Sequence, residues 1–156
     1  MNSGISYHVD ATNGASRRLG VKIEIDGPFN ENILELRFPR WVPGSYFIRE
    51  PIQHMSNLEA TCDNKEIQIK RIDVDGARIT GISNASKIVI TYKLLAAEMT
   101  CRANHLDETH VHIMPPYTWM MPTRGIEKSR LEQSHKVTLD APKGWQTATQ
   151  LAGKEG

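Results

Sequence analysis

The stretch "RFPRWVPGSYFIRE", from Arg37 to Glu50, decides how this sequence folds, because it forces an extended chain to turn sharply. Pro39 and Pro43 fix φ and remove two backbone donors from any ladder. Gly44 can adopt a positive φ without steric cost. The sequence therefore predicts a strand that ends close to Pro39, followed by a tight corner at Pro43 and Gly44.

The same corner is unusually rich in aromatic residues. Trp41, Tyr46 and Phe47 all lie within it. A loop that only connects two strands is normally polar, and aromatic side chains bring large apolar surfaces that favour burial or binding. We therefore expect the corner to pack against another part of the protein or to present a contact surface.

On both sides of the corner, apolar and polar residues alternate with the period of a half-buried strand. This patterning, punctuated by turn residues, is typical of an antiparallel sandwich or an open barrel. We predict an all-β fold, an antiparallel β-sandwich of roughly 8–10 short strands. The alternating segments are 5–9, 21–25, 33–38, 55–62, 67–69, 77–82, 87–94 and 135–140.

Two segments leave the secondary structure open. "LLAAEMTCRA", residues 94–103, can form a short helix or finish the preceding strand, so we expect at most one short helix. Near the end of the chain, Pro142 and Gly144 predict a turn after a strand. Trp145 is expected to be an aromatic anchor, with a new short strand behind it.

Composition limits the function classes. The chain has 156 residues, with 39% hydrophobic and 24% charged residues and a formal net charge of +1. This suits one globular domain and gives no field that would favour nucleic acid or a membrane surface. No signal-peptide pattern begins the sequence, so a cytoplasmic location is expected. Cys62 and Cys101 are interpreted as buried free thiols, with one disulfide as the alternative.

The sequence contains no self-sufficient catalytic motif. There is no HExxH helix, no GxSxG elbow, no phosphate-binding Walker sequence and no CxxC pair. We therefore predict that this chain is not an enzyme by itself.

One histidine-rich segment could be taken for a metal site. "HLDETHVH", residues 105–112, is dense in side chains that bind metals. If it is extended, His110 and His112 lie on one strand face, close enough to share an ion. The alternative is a polar turn closed by Asp107 or Thr109. Because zinc-type spacings are absent, we predict no metal site and keep His110 and His112 as the alternative.

The segment "LRFPRWVPGSYFIREPIQHMSNLEA", residues 36–60, resembles the signature of the N-terminal domain of the glycyl aminopeptidase family, zinc metallopeptidases of the gluzincin type. Blocks at 5–11, 90–96, 106–113 and 137–151 resemble the same domain in the same order, so the likeness covers nearly the whole chain. Arg40 and the Met- and Pro-rich block at 112–122 depart from the pattern. The matching corner positions are Pro39, Trp41, Pro43, Gly44, Tyr46, Ile48 and Arg49.

The resemblance implies a domain that precedes and packs against a thermolysin-like catalytic domain of the same polypeptide. In that family the zinc ligands and the general base lie on an HExxH helix of the catalytic domain, so no catalytic residue and no cofactor carries over to this chain. Residues 1–150 would form the N-terminal β-sandwich domain. Residues 151–156 would be a truncated link toward the missing catalytic domain, whose peptide substrate would be the other partner.

The resemblance also suggests roles for residues in the corner. Pro39, Trp41, Pro43 and Gly44 would shape the corner, with Trp41 and Tyr46 as anchors. The candidates for an interface or a cleft-facing surface are Tyr46, Arg49 and Glu50. Burial against a neighbouring domain predicts an exposed apolar patch on this chain. The rival hypotheses are a free-standing peptide- or carbohydrate-binding module and a small metal-dependent enzyme built on residues 105–112.

Overall fold

The computed structural model describes residues 4–153, which fold almost entirely as strands and loops. One short α-helix, α1 (Lys128–Leu131), and three 3-10 turns are present in this range. The strands are β1 (Ile5–Asp10), β2 (Arg18–Asp26), β3 (Ile33–Arg37), β4 (Met55–Cys62), β5 (Lys65–Glu66), β6 (Ile69–Arg71), β7 (Gly76–Thr80), β8 (Lys87–Leu95), β9 (His105–Leu106), β10 (Val111–His112), β11 (Met121–Arg124) and β12 (Lys136–Asp140).

The larger sheet has the strand order β12-β1-β2-β8-β4-β5. Its centre is the antiparallel pair of β2 and β8, in which Ile23 lies opposite Ile90. Every second residue of both strands is buried, as period 2 dictates when one face covers a core. The alternation of "VKIEI" and "KIVITYKL" therefore predicts these two strands correctly.

A second sheet, with the order β11-β3-β7-β6, supplies the other half of the core. Leu34 and Leu36 of β3 and Ile79 of β7 are fully buried in the same apolar cluster as the inner face of the larger sheet. Phe38, the residue after β3, meets Tyr92 of β8 edge to face with ring centroids 6.0 Å apart. The all-β, sandwich-like fold expected from the sequence is confirmed.

Two details of the sheets differ from the expectation. Twelve strands are present in residues 4–153, more than the 8–10 expected, because pairs as short as Lys65–Glu66 also form ladders. The strands are also not all antiparallel, since β12 runs parallel to β1, with Tyr7 opposite Val137. A parallel partner far along the chain leaves no local turn signal.

The ambiguous segments are also resolved. Residues 94–95 finish β8, because Leu94 is paired with Leu19 on one side and Met55 on the other. The helix at 94–103 is therefore absent. Trp145 packs against the core as an anchor, but the short strand expected behind it does not form in residues 146–153. Residues 154–156 of the expected link lie outside the described range, and the boundary at 150 stays a prediction.

Both cysteines are free. The prediction that both thiols are buried is wrong, because Cys62 is only half-buried and Cys101 is exposed. Within residues 4–153, none of the helices has the length and apolar character needed to cross a bilayer.

Tyr92 ties the larger sheet to the segment that leads into β11. Its hydroxyl donates to the carbonyl of Thr118 at 2.7 Å and accepts from the amide of Met120 at 3.1 Å. Complete burial raises the pKa of Tyr92, so the hydroxyl stays protonated and keeps its donor. Two buried backbone groups therefore depend on this one hydroxyl.

We expect Tyr92→Phe to lower the free energy of unfolding by about 1–3 kcal/mol, because it leaves a buried carbonyl and a buried amide unpaired. Urea denaturation at pH 7 measures this loss. Tyr46→Phe is the matched control, since Tyr46 is 98% exposed and should change stability by less than about 0.5 kcal/mol. Equal stability of the Tyr92→Phe chain and the unmodified chain would contradict this account.

Candidate functional site

The corner predicted from the sequence is a tight turn. The amide of Ser45 donates to the carbonyl of Val42 at 3.0 Å, which places Pro43 and Gly44 at the two central positions. Gly44 has φ +85°, as a turn with Pro at the first central position and a left-handed second residue requires. Pro43 and Gly44 therefore shape the corner through the backbone.

Two further hydrogen bonds close the corner into a loop. The indole Nε1 of Trp41 donates to the carbonyl of Ser45. The amide of Arg49 donates to the carbonyl of Arg40 at 2.9 Å, so the chain leaves the corner close to where it enters. Trp41 thus stabilises the corner by a hydrogen bond across the turn, whereas its ring remains 56% exposed.

The apolar side chains of the corner point outward. We call Trp41, Tyr46, Phe47 and Ile48 the corner patch. Tyr46 is 98% exposed, and Phe47 and Ile48 are 64% and 65% exposed. The expectation that Tyr46 anchors the corner is therefore wrong, because its side chain has almost no packing within residues 4–153. The exposed apolar patch that the sequence analysis expected is present.

The root of the corner is held by charges that sequence reasoning missed. Arg37, at the end of β3, contacts Asp73 at 2.6 Å and Asp75 at 2.7 Å. The amide of Phe38 also donates to the carbonyl of Asp75 at 2.9 Å. The signal was available in "IDVDG", residues 72–76, where two aspartates flank a turn that faces β3.

The pKa values of the two aspartates are shifted in opposite directions by their surroundings. The hydrogen bond from Arg37 holds the pKa of Asp73 well below its usual range. Burial raises the pKa of Asp75, whose side chain is 10% exposed, and the nearby Asp73 raises it further. Arg37, Asp73 and Asp75 thus form a charge clamp, in which Arg37 lies against one exposed carboxylate and one buried carboxylate.

A groove with a volume of about 110 Å³ opens beside the corner. Arg49 and Glu50 line it together with His54, Glu98 and Arg102. The Nε of Arg49 is buried and has no hydrogen-bond partner among the described residues, and its guanidinium carbon lies 5.8 Å from the ring centroid of Phe47. The structure thus brings Arg49 and Glu50 to one groove, whereas Tyr46 does not line it.

His110 of the histidine-rich hairpin precedes strand β10, so only His112 of the expected pair lies within the strand. His110 lies in the turn, where Asp107 accepts from its amide at 3.0 Å, so the polar turn closed by Asp107 is confirmed. The side chains of His105, Asp107 and His110 offer ligand atoms within 4.8 Å of one another, and His112 is not among them. The hydrogen bond from His105 holds the pKa of Asp107 well below its usual range.

Comparison with known proteins gives the family. Residues 6–156 match the family described as the peptidase M61 N-terminal domain. This chain belongs to that family. No curated protein matches this peptidase M61 N-terminal domain.

A solved structure shares the fold. An aminopeptidase N family protein from Idiomarina loihiensis superposes with a TM-score of 0.77 at 21% sequence identity. The match covers 89% of this peptidase M61 N-terminal domain and 22% of the Idiomarina chain. The chain therefore spans about a fifth of the length of the structure that it resembles, and at this identity the likeness concerns the fold.

The clamp at the root of the corner predicts a pH dependence. Asp73 has a folded pKa below its unfolded value, so its contribution to stability is present above about pH 4 and is lost as the pH falls through the folded pKa. In Arg37→Met we expect the pKa of Asp73 to rise toward its usual value. We also expect the stability deficit of the variant to shrink at acid pH. NMR titration of the carboxyl carbons and urea denaturation between pH 7 and pH 3 measure both effects.

Lys136→Met is the control for this experiment, because it removes one positive charge from the other sheet. It should leave the pKa of Asp73 unchanged. An unchanged pKa of Asp73 in Arg37→Met would show that Arg37 does not hold this carboxylate in solution.

Proposed function

We propose that this peptidase M61 N-terminal domain packs against the catalytic domain of an aminopeptidase on the same polypeptide and walls one side of its peptide cleft. The observation that carries the proposal is the corner patch, which exposes four large apolar side chains within positions 41–48. Apolar clusters of this kind mark contact surfaces, and aromatic residues are enriched at the centre of such contacts.

The rigidity of the corner supports this role. Its turn is fixed by Pro43 and Gly44, its two ends are joined between Arg40 and Arg49, and its root is clamped through Arg37. A patch held in one conformation loses little entropy on docking. The corner is thus preorganised for contact with a folded partner.

The groove beside the corner patch supplies the polar part of such a contact. Glu50 and Glu98 bring carboxylates, and Arg49 and Arg102 bring guanidinium groups, to the same depression. A mixed-charge rim around an apolar centre is the usual composition of an interface between domains. Tyr46, Arg49 and Glu50, the candidates from the sequence, are the residues that we assign to the interface or to the wall of the cleft.

The length comparison also fits this proposal. The matched Idiomarina protein, described as an aminopeptidase N family member, has a much longer chain, of which the match covers 22%. By resemblance to the glycyl aminopeptidases, the catalytic domain would carry zinc and the general base on an HExxH helix. Glycyl specificity, the gluzincin type and a cytoplasmic location belong to the same proposal and rest on that resemblance alone.

A free-standing binding module is the second candidate. The nearly complete exposure of Tyr46 next to a groove favours it, because aromatic side chains with free faces can grip a peptide or a sugar ring. Such a module would bind its ligand as the 156-residue chain alone.

The test uses the full polypeptide encoded by the gene, with and without the double change Tyr46→Ser and Phe47→Ser. We expect aminopeptidase activity to fall at least about tenfold, because a docking contact of this kind is worth more than 1.4 kcal/mol. The thermal midpoint of the isolated 156-residue chain should stay within about 1 °C, since both side chains are exposed. Peptidase assays and thermal unfolding measure the two effects.

Val137→Ser is the matched control, because Val137 is also exposed, at 40%, but lies on edge strand β12. Full activity of the double variant would refute a role of the corner patch in the enzyme. If the gene encodes no zinc-peptidase helix beyond these residues, the peptidase proposal fails and ligand binding by the chain alone becomes the hypothesis to test.

A further inference from the structure

The hairpin of β9 and β10 gathers three histidines around one cavity. The two strands pair antiparallel with His105 opposite His112, and opposite residues lie on the same face of a ladder. His110, in the turn just before β10, stacks on His105 with ring centroids 4.9 Å apart. Three imidazoles that are spread over eight residues of sequence are thus brought together.

Asp107 determines which nitrogen of His105 is free. Its Oδ1 accepts from the amide and the hydroxyl of Thr109, both at 2.7 Å, and from the amide of His110. Its Oδ2 lies 3.1 Å from Nε2 of His105. Because a carboxylate only accepts, Nε2 carries the proton and Nδ1 of His105 presents a lone pair.

That lone pair has no partner within residues 4–153. His105 is only 3% exposed, and its Nδ1 is buried without a hydrogen bond among the described residues. Leaving a buried acceptor unpaired costs about 1–3 kcal/mol. A histidine whose other nitrogen donates to a carboxylate is oriented as metal-binding histidines are, with the carboxylate fixing the tautomer and the ring.

His105 lines a cavity of about 290 Å³ whose other walls are suited to the same type of ligand. Five of the six lining side chains carry an imidazole, a thiol or a thioether, and none carries a carboxylate. Nitrogen and sulfur donors favour zinc and neighbouring transition metals over calcium or magnesium, which prefer oxygen. The lining residues are Met99, Thr100, Cys101, His105, His110 and His112.

We propose that this cavity is a binding site for a transition-metal ion of the zinc class. His105 would bind through Nδ1, His110, His112 and Cys101 would complete the ligand set, and Asp107 is the positioning residue. His110, His112 and Cys101 are exposed, so their side chains can turn toward the ion, whereas His105 is already fixed. The site is independent of the proposed peptidase role, because none of its residues belongs to the corner patch or lines the groove beside it.

The test is a zinc titration of the 156-residue chain by calorimetry, with metal analysis after gel filtration. We expect one equivalent of zinc to be retained and the thermal midpoint to rise with zinc concentration, because the ion binds only the folded chain. His110→Ala and His112→Ala should each weaken binding at least about tenfold, the loss that even the removal of a supporting residue causes. Cobalt substitution should give a thiolate charge-transfer band that Cys101→Ser abolishes.

His105→Ala does not separate binding from folding, because the side chain is buried, so the exposed ligands His110 and His112 carry the test. His54→Ala is the matched control, since His54 lines the groove beside the corner and is not part of the proposed site. The His54→Ala chain should bind zinc as tightly as the unmodified chain. Failure to retain zinc, or unchanged affinity in both His110→Ala and His112→Ala, overturns the proposal. Because zinc binding is measured on the 156-residue chain alone, these outcomes do not depend on whether the peptidase proposal is correct.

Discussion

The structure depends on the position of one side chain, Tyr92, at the centre of β8. Its ring packs against Phe38, where the chain leaves β3 for the corner, and its hydroxyl holds Thr118 and Met120, where the chain approaches β11. β3 and β11 are neighbours in the second sheet. One buried tyrosine of the larger sheet thus holds the chain at the end of β3 and again just before β11. It thereby also fixes the point from which the corner projects.

Charged side chains hold the chain at the point where the corner begins, at the end of β3. Arg37 is the last residue of β3, and its contacts with Asp73 and Asp75 bind the end of that strand to the turn before β7. Because Asp75 is buried, displacing Arg37 would leave its carboxylate with Arg40, 3.8 Å away, in place of a cation at 2.7 Å. The apolar surface of the corner patch is therefore presented by a framework that resists rearrangement, which is what a docking surface requires.

The sequence predicts the long strands well, because each of them is half-buried and alternates accordingly. It does not predict that β12 pairs parallel with β1, since that choice depends on which sheet edge is free once the fold has formed. Residues 94–95 are similarly decided by tertiary structure, because pairing on both sides of Leu94 overrides a helical composition. Local sequence pattern predicts a strand that is buried on one face, but it does not predict a pairing that depends on residues distant in sequence.

The sites divide in the same way. Pro43 and Gly44 predict the turn because their constraints act on the backbone, but no local rule says that Tyr46 points into solvent. At the hairpin, period 2 pairs His110 with His112, whereas the turn built on Asp107 moves His110 against His105. The Asp107 carboxylate accepts hydrogen bonds from three neighbouring groups and so fixes the turn before β10, a role that local pattern does not assign to it.

The corner patch is also separable from the requirements of folding. At Gly125, which has φ +93°, an added Cβ would lie 2.1 Å from the carbonyl oxygen of Ile33, so the backbone there tolerates no side chain. Nothing comparable restricts Tyr46, Phe47 and Ile48 of the corner patch, whose side chains are mostly in solvent. Polar residues at these positions would be better hydrated and would leave the core intact. The interface that we propose gives a physical reason for large apolar groups there, since a second domain of the same polypeptide would cover them at high effective concentration.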